Sequence, residues 1–370
     1  MFIPVNRPLL NGNEKKYLNE CIDSGWISSE GPFVERFELM FAKKIEKKYA
    51  ISVSNGTAAL DLAIEALGIS AGDEVIMPSF TIISCINQII RCSAVPILLD
   101  CDPFTFNMNV EEIEKKITKK TKAIMVVHIY GMPVDMDPVL RLAKKFNLFI
   151  IEDASEVLGQ DYKGKPCGSF GDISTFSFYS NKHITTGEGG MVAVNNKALA
   201  DTCKGLRNLC FNPKKRFVHN RLGWNMRMTN IQAAVGVAQL ERIEEFIKRK
   251  RDIGKRYNKL LNGLPNIQLP VKKNEIAENI YWVFSLVIER ANPMTAETAI
   301  KKFFAKNIGC RPFFYPMHMQ PVLKKKGFFR NETFPNSESL YKHGFYIPSG
   351  LGITDNEIEI VADAAWEIFN

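Results

Sequence analysis

Three segments carry side chains whose types and order could do covalent chemistry. From Gly171 to Gly190 a strand with alternating aromatics, Phe176 and Phe178, runs into a polar turn holding Lys182, and a glycine-rich return leads into the apolar Met191 to Val194. A lysine walled by such aromatics is desolvated, which lowers the pKa of its amine toward the range needed to form an imine with a carbonyl. A solvated surface lysine is the other reading of any single Lys. The second segment, Leu148 to Asp153, is a very apolar strand ending in two acids. Ligands of open α/β sheets gather at the carboxyl ends of strands, where an acid can pair with a cationic group. Asp153 could equally cap a helix through Ala154-Ser155-Glu156. The third, Ser52 to Leu60, sets small polar residues between a strand and an apolar helix, so that the first helical N–H groups face outward as an anion site. Taken alone, a plain helix cap by Asn55 or Thr57 explains it as well. It is neither a P-loop nor a dinucleotide fingerprint, because GxxxxGK[ST] and GxGxxG are both missing. What joins the three is their order: an anion-type turn, an acid at a strand end, then Ser177 and Lys182.

These segments need a scaffold, and the surrounding pattern supplies one. Between residue 50 and about 195, short Val- and Ile-rich runs alternate with amphipathic stretches, the signature of a mostly parallel sheet covered by helices. Strands are predicted at Ala50–Ser54, Glu74–Met77, Val95–Asp100, Lys122–His128, Leu148–Asp153, Ile173–Phe178 and Met191–Val194. Helices fall at Ala58–Leu67, Val110–Ile117 and Asp137–Lys145. After residue 230 the period is helical: one helix over Ile231–Ile247, then a charged one to about Leu261. A smaller α+β unit follows, with strands Tyr281–Glu289 and Gly309–Tyr315 and helices Thr295–Lys306 and Asp355–Phe369. The fold class is therefore α/β, with a large domain over 1–248, including an N-terminal arm, and a smaller C-terminal domain over 249–370.

Composition narrows the partners. The chain has 370 residues, 46% hydrophobic and 24% charged, with a net charge of +8. Its basic residues are interspersed with acids, as in Glu245 to Lys255, which is a solvated face or a contribution to binding an anionic substrate rather than a nucleic-acid footprint. The eight cysteines form no CxxC pair and no zinc-type spacing with His, so neither a metal site nor a disulfide framework is predicted. No run of about 18 apolar residues and no secretory leader occurs, and a cytoplasmic location without membrane or nucleic-acid partners is expected.

The same residues carry a resemblance. Asn11 to Leu18, Gly25-Trp26-Ile27-Ser28-Ser29, Ser54 to Leu60, Pro78-Ser79-Phe80-Thr81, His128-Ile129-Tyr130-Gly131, Ile151-Glu152-Asp153, Phe176-Ser177-Phe178 with Asn181-Lys182, Thr186 to Gly190, Asn225 to Asn230 and Arg311 to Pro316 together resemble the nucleotide-sugar aminotransferases of the DegT/DnrJ/EryC1/StrS family nearly end to end. The resemblance implies a fold type I transferase of the aspartate aminotransferase type, using pyridoxal 5'-phosphate (PLP), usually a homodimer with shared sites. It places Lys182 on the Schiff-base lysine and Asp153 on the acid at the pyridine nitrogen. Gly56, Thr57 and Ser177 fall on the phosphate cradle, Asn55 beside them among the cofactor-binding residues, Asn225 on a residue reaching that phosphate from the neighbouring subunit, and Glu156 near the cofactor hydroxyl. Trp26, Ser28, His183, Arg227, Arg311, Tyr315 and His318 fall on the substrate side. The implied reaction moves an amine from L-glutamate to the 4-keto group of a nucleotide-linked 4-keto-6-deoxy sugar, GDP-linked in the subgroup most resembled, for surface polysaccharide. A UDP- or dTDP-linked sugar or a small phosphorylated ketone would use the same chemistry. Sugar dehydrases of the family carry His for the lysine, and a non-catalytic regulatory homologue would lack these groups; Lys182 favours transamination over both. One departure is Ile82, where many relatives place an aromatic to stack on the pyridine ring.

Overall fold

The structure is a computed structural model that describes residues 2–370 apart from Pro213. Seven strands form the main sheet in the order Tyr49–Val53, Gly190–Val194, Ile173–Ser177, Phe149–Asp153, Thr121–Val127, Glu74–Pro78, Val95–Leu99. Gly190–Val194 runs antiparallel to both neighbours, and the other pairings are parallel. Such a sheet is buried on both faces, which is why its strands are almost wholly apolar. Along Thr121–Val127 the alternation is strict: Ile124 and Val126 join a core with Phe37, Phe41 and Val237, while Ala123, Met125 and Val127 join another with Ala59, Leu62 and Leu206. The first core packs under helices Pro32–Lys44 and Asn230–Leu240, the second under Gly56–Ala66 and Lys197–Arg207.

A second, four-stranded antiparallel sheet has the order Ile267–Gln268, Phe284–Ile288, Gly344–Ile347, Arg311–Pro312. Helices Ala296–Ala305 and Asp355–Phe369 close a third core on it, around Tyr257, Phe284, Phe303 and Phe345. Helix Ile243–Leu260 runs unbroken through residues 248 and 249 and supplies Ile253 and Tyr257 to that core. The N-terminal arm also lies against this region: Ile3 pairs with Ile308, and the Arg7 guanidinium meets Glu357 at 2.5 Å.

Three predicted elements come out differently. The single helix over Ile231–Ile247 is two, since Asn230–Leu240 ends before Arg242 and Ile243–Leu260 begins anew; neither Gly nor Pro marks the break. The strand expected over Gly309–Tyr315 shrinks to Arg311–Pro312, because prolines at 312 and 316 remove ladder donors. The strand expected from Tyr281 starts only at Phe284, since Tyr281 has φ +52°, a left-handed backbone that ends extended structure. Helices Glu14–Ser24, Pro32–Lys44, Ser84–Arg91 and Lys197–Arg207 lie where no helix was predicted.

Candidate active site

The carboxyl ends of the parallel strands converge on one pocket of about 660 Å³. Val127, Asp153 and Ser177 are the last residues of their strands, Thr81 and Ile82 follow another, and Ser54 to Ala58 follow the first. The antiparallel strand brings its opposite end, with Glu188 just before it. From the second sheet comes Tyr346, with Trp282, just before strand Phe284–Ile288, and Phe314 beside it. The pocket therefore spans both sheets.

At its anion end, Asn55 does both things the sequence allowed: its side chain caps helix Gly56–Ala66 by accepting from Ala58 N–H at 2.8 Å, and it lines the pocket. The remaining first-turn N–H groups and the positive end of the helix dipole face the cavity. A Cβ at Gly56 would sit 2.8 Å from Ser177 Cβ, so the glycine is what lets that serine pack directly against the helix end. Thr57 Oγ1 and Ser84 Oγ lie 2.8 Å apart on the same wall.

Asp153 is buried, and it caps no helix. Its Oδ1 accepts the Ser155 N–H at 3.0 Å, and Cys85 Sγ lies 3.6 Å from Oδ2. The acid before it, Glu152, is fully buried and faces the other way. It accepts the N–H groups of Gly168, Phe170 and Gly171 at 2.5, 2.9 and 2.8 Å, the Ser174 hydroxyl at 3.2 Å and His128 Nε2 at 3.1 Å. Burial alone would raise its pKa, but His128 and these backbone donors outweigh that and hold it below the usual carboxylate value. Glu152 thus anchors the loop before Ile173–Ser177, while its neighbour Asp153 faces the cavity.

Lys182 points into the pocket, its side chain 12% exposed, with Nζ 3.6 Å from Glu156 Oε1 and 3.8 Å from the centroid of the Trp282 ring. Burial pulls the lysine pKa down against the opposing charges of Glu156 and Asp153. Burial likewise lifts Glu156 to about 7, against the pull of Lys182 and the Tyr130 N–H, which donates to Oε2 at 3.0 Å. Burial thus draws the two pKa values toward each other, the arrangement that suits proton exchange between an amine and a carboxyl group.

Several predicted residues are elsewhere. Phe176 and Phe178 do not wall Lys182: strand alternation sends them to the opposite face, against Phe41 at 4.8 Å and Phe37 at 5.1 Å, and Ser177 to the pocket. His183 follows Lys182 but is buried beside Lys250, outside the pocket wall, where burial and that cation hold its pKa well below the usual value. His318 is 3% exposed and bonded to Ser79 Oγ at 2.8 Å and Glu338 Oε1 at 3.0 Å, so it buttresses the loop after Glu74–Pro78 and leaves the pocket to others. Arg311 is exposed, and Tyr315 packs edge-on to Tyr341 at 4.6 Å. Trp26, Ser28 and Asn225 are exposed and Arg227 bonds Asn208 Oδ1, all beyond this chain's own pocket. Ile82 does line it. Trp282, Tyr346, Tyr179 and Asp61 were not legible as pocket residues; their only sequence signal is aromatic or acidic character near an element end.

A desolvated amine beside a carboxylate, an acid at a strand end and a helix N-terminus in one cavity define an enzyme that works on carbonyl groups through a phosphorylated cofactor. The DegT/DnrJ/EryC1/StrS aminotransferase family model matches residues 8–365, and the chain belongs to that family. It is 44% identical over 369 residues to the GDP-perosamine synthase of Escherichia coli O157:H7, covering 100% of this chain and 99% of that protein. To the GDP-perosamine synthase of Vibrio cholerae it is 42% identical over 368 residues, with 100% and 99% covered. Among solved structures, the putative sugar aminotransferase Spr1654 of Streptococcus pneumoniae in its PMP form superposes with a TM-score of 0.92 at 25% identity, covering 100% of this chain and 98% of that one. The same protein is known in a PLP form. The chain is thus a PLP-dependent aminotransferase. Its pocket fits that cofactor: the helix N-terminus at Gly56 and Thr57, with Ser177 close against it, suits a phosphate, and Asp153 and Lys182 offer an acid and an amine in the same cavity. No helix among the described residues is long and apolar enough to cross a membrane.

Proposed function

We propose that this enzyme transfers the amine of L-glutamate to the 4-keto group of GDP-4-keto-6-deoxy-D-mannose, giving GDP-perosamine for surface polysaccharide. The observation that carries the chemistry is Lys182, unexposed for most of its length and set between Glu156 and Trp282 in the pocket that Asp153 and Gly56 share. The full-length identity to two GDP-perosamine synthases supports the acceptor.

When bound, PLP supplies a carbonyl to carry the amine and an electron-withdrawing ring. In this reading Lys182 would anchor it covalently, and Asp153, oriented by the Ser155 N–H, would keep the ring nitrogen protonated. Asn55, Gly56, Thr57 and Ser177 hold the phosphate at the helix N-terminus. The Lys182 amine would take the proton from the α-carbon of glutamate and, in the second half-reaction, give one to C4 of the sugar. Glu156 stands beside the amine as its proton partner. Val127, Phe314 and Tyr346 line the pocket with apolar surface that limits water around these groups.

A homodimer completes this reading. Asn225 is exposed next to the pocket residue Met226, and Trp26, Ser28 and Arg227 lie outside the chain's own cavity, which suits residues that serve a second copy. Eight free thiols suit the reducing cytoplasm. The test incubates the enzyme with glutamate and a panel of GDP-, UDP- and dTDP-linked 4-keto sugars and a small keto-phosphate, read by product mass. Amine is expected on the GDP sugar, borohydride should fix PLP to Lys182, and Lys182→Ala should abolish transfer. Turnover by Lys182→Ala at the normal rate, or amination of the keto-phosphate alone, would refute it.

A further inference from the structure

Trp282 is held more firmly than a pocket wall requires. Its Nε1–H donates to the Asn181 carbonyl at 2.9 Å, tying the indole to the turn that carries Lys182. Its own carbonyl accepts from Lys250 Nζ at 2.8 Å, and the same ammonium donates to the Ser349 carbonyl at 2.6 Å. Lys250 is 4% exposed and pairs with no acid among the described residues, so it acts as a buried staple between helix Ile243–Leu260 and the second sheet. On the other side Tyr130 packs at 5.7 Å and Tyr346 at 6.4 Å.

The backbone around the indole is crowded and strained. Tyr281 and Tyr130 have φ of +52° and +53°, costly for aromatic residues and found where surrounding structure imposes them. At Gly131, with φ +97°, a Cβ would meet Tyr281 N at 2.8 Å and Trp282 N at 2.9 Å. Only glycine lets the two loops approach so closely. The result of all this is a single orientation, in which the indole face lies 3.8 Å from Lys182 Nζ.

We propose that Trp282 is a further catalytic residue, whose indole face receives the Lys182 ammonium each time the lysine takes up a proton. This rests on Lys182 being the reacting amine. The lysine gains its proton from the donor α-carbon and gives it up later in the cycle, so it is a cation for part of each half-reaction. Buried for most of its length, that cation needs stabilisation that does not bind it tightly. Glu156 supplies charge from one side, and Asp153 and the Cys85 thiol face it at longer range. An aromatic face adds cation attraction without hydrogen bonds to break, so the amine remains free to move.

The test replaces Trp282 alone by tryptophans bearing one to four ring fluorines. These keep the shape and the Nε1–H but drain the negative face, so a merely structural role would not respond. The full-length protein is freed of cofactor, and the pH midpoint for acylation of Lys182 is read by peptide mass spectrometry. Proton affinity of Lys182 should fall stepwise with fluorine content, by about threefold to tenfold in total, the size of a partly desolvated cation–π contact. An unchanged or rising midpoint overturns the proposal. Borohydride labelling of the wild-type holoenzyme separates the two ideas: PLP fixed elsewhere than Lys182 sinks the underlying reading, whereas label on Lys182 with no fluorine effect sinks the role of Trp282 alone.

Discussion

Glu156→Gln isolates the cost of a buried carboxylate. The substitution keeps the shape and an oxygen to accept the Tyr130 N–H, but it cannot ionise. In the wild type, burial raises the group from 4.5 to about 7, which at about 1.4 kcal/mol per factor of ten amounts to about 3 kcal/mol. The sign follows from proton binding. Between pH 4.5 and 7 the folded chain holds a proton that the unfolded chain has lost, so stability falls as pH rises through this window. Below it both states are protonated, and the variant and wild type should be equally stable. Above it the wild type carries the full cost, the pull of Lys182 being already contained in the value of about 7. The assay is urea unfolding of cofactor-free protein at half-unit steps from pH 4.5 to 8, taken as the difference between the two proteins so that other groups cancel. The variant should gain progressively, levelling at about 2–3 kcal/mol above pH 7.5. Two parallel curves, or a gain at the acid end instead, would refute burial as the cause of the shift.

Two further outcomes test the scaffold of the site. Gly56→Ala should lower both the melting temperature and PLP affinity, because the 2.8 Å contact with Ser177 Cβ costs about 1–3 kcal/mol of overpacking, more than the gain of up to about 1 kcal/mol from helix propensity; a cofactor titration and a melting curve decide it. Glu152→Gln should destabilise by about 3 kcal/mol at neutral pH, since its amide sets a donor among five donors. The loss should shrink as pH falls through the depressed carboxylate pKa, and urea midpoints at two pH values would show whether it does.

Much of the main sheet was legible because each strand is a short apolar run between turn residues, and predicted and observed limits differ by a residue or so, as with Lys122–His128 against Thr121–Val127. The helices that escaped, Glu14–Ser24 and Pro32–Lys44 among them, have apolar positions spread among charges, and it is packing on the sheet that stabilises them. Of the site, Asn55, Gly56, Thr57, Asp153, Glu156, Ser177 and Lys182 share one pocket. They sit at or near strand ends, so their place follows from local order plus the rule that ligands gather there. His183 and His318 are instead interior groups, because side-chain direction depends on the local turn and not on distance along the chain from a reactive residue.

By itself, then, the sequence determined the alternation of elements, the order of anion turn, acid and lysine, and through its motifs the family. It could not determine the parity of Ile173–Ser177. A two-residue period says that Phe176 and Ser177 face opposite ways, but only the packing of Phe37 and Phe41 on one side decides which of them meets the cofactor pocket. Nor could it bring Trp282 to Lys182. That contact is made by residues far apart in the chain, across two sheets, and is fixed by a buried lysine, a strained tyrosine and a glycine that lets two backbones touch. Local patterns record which way a segment must face; which distant segments meet is settled only when their surfaces pack.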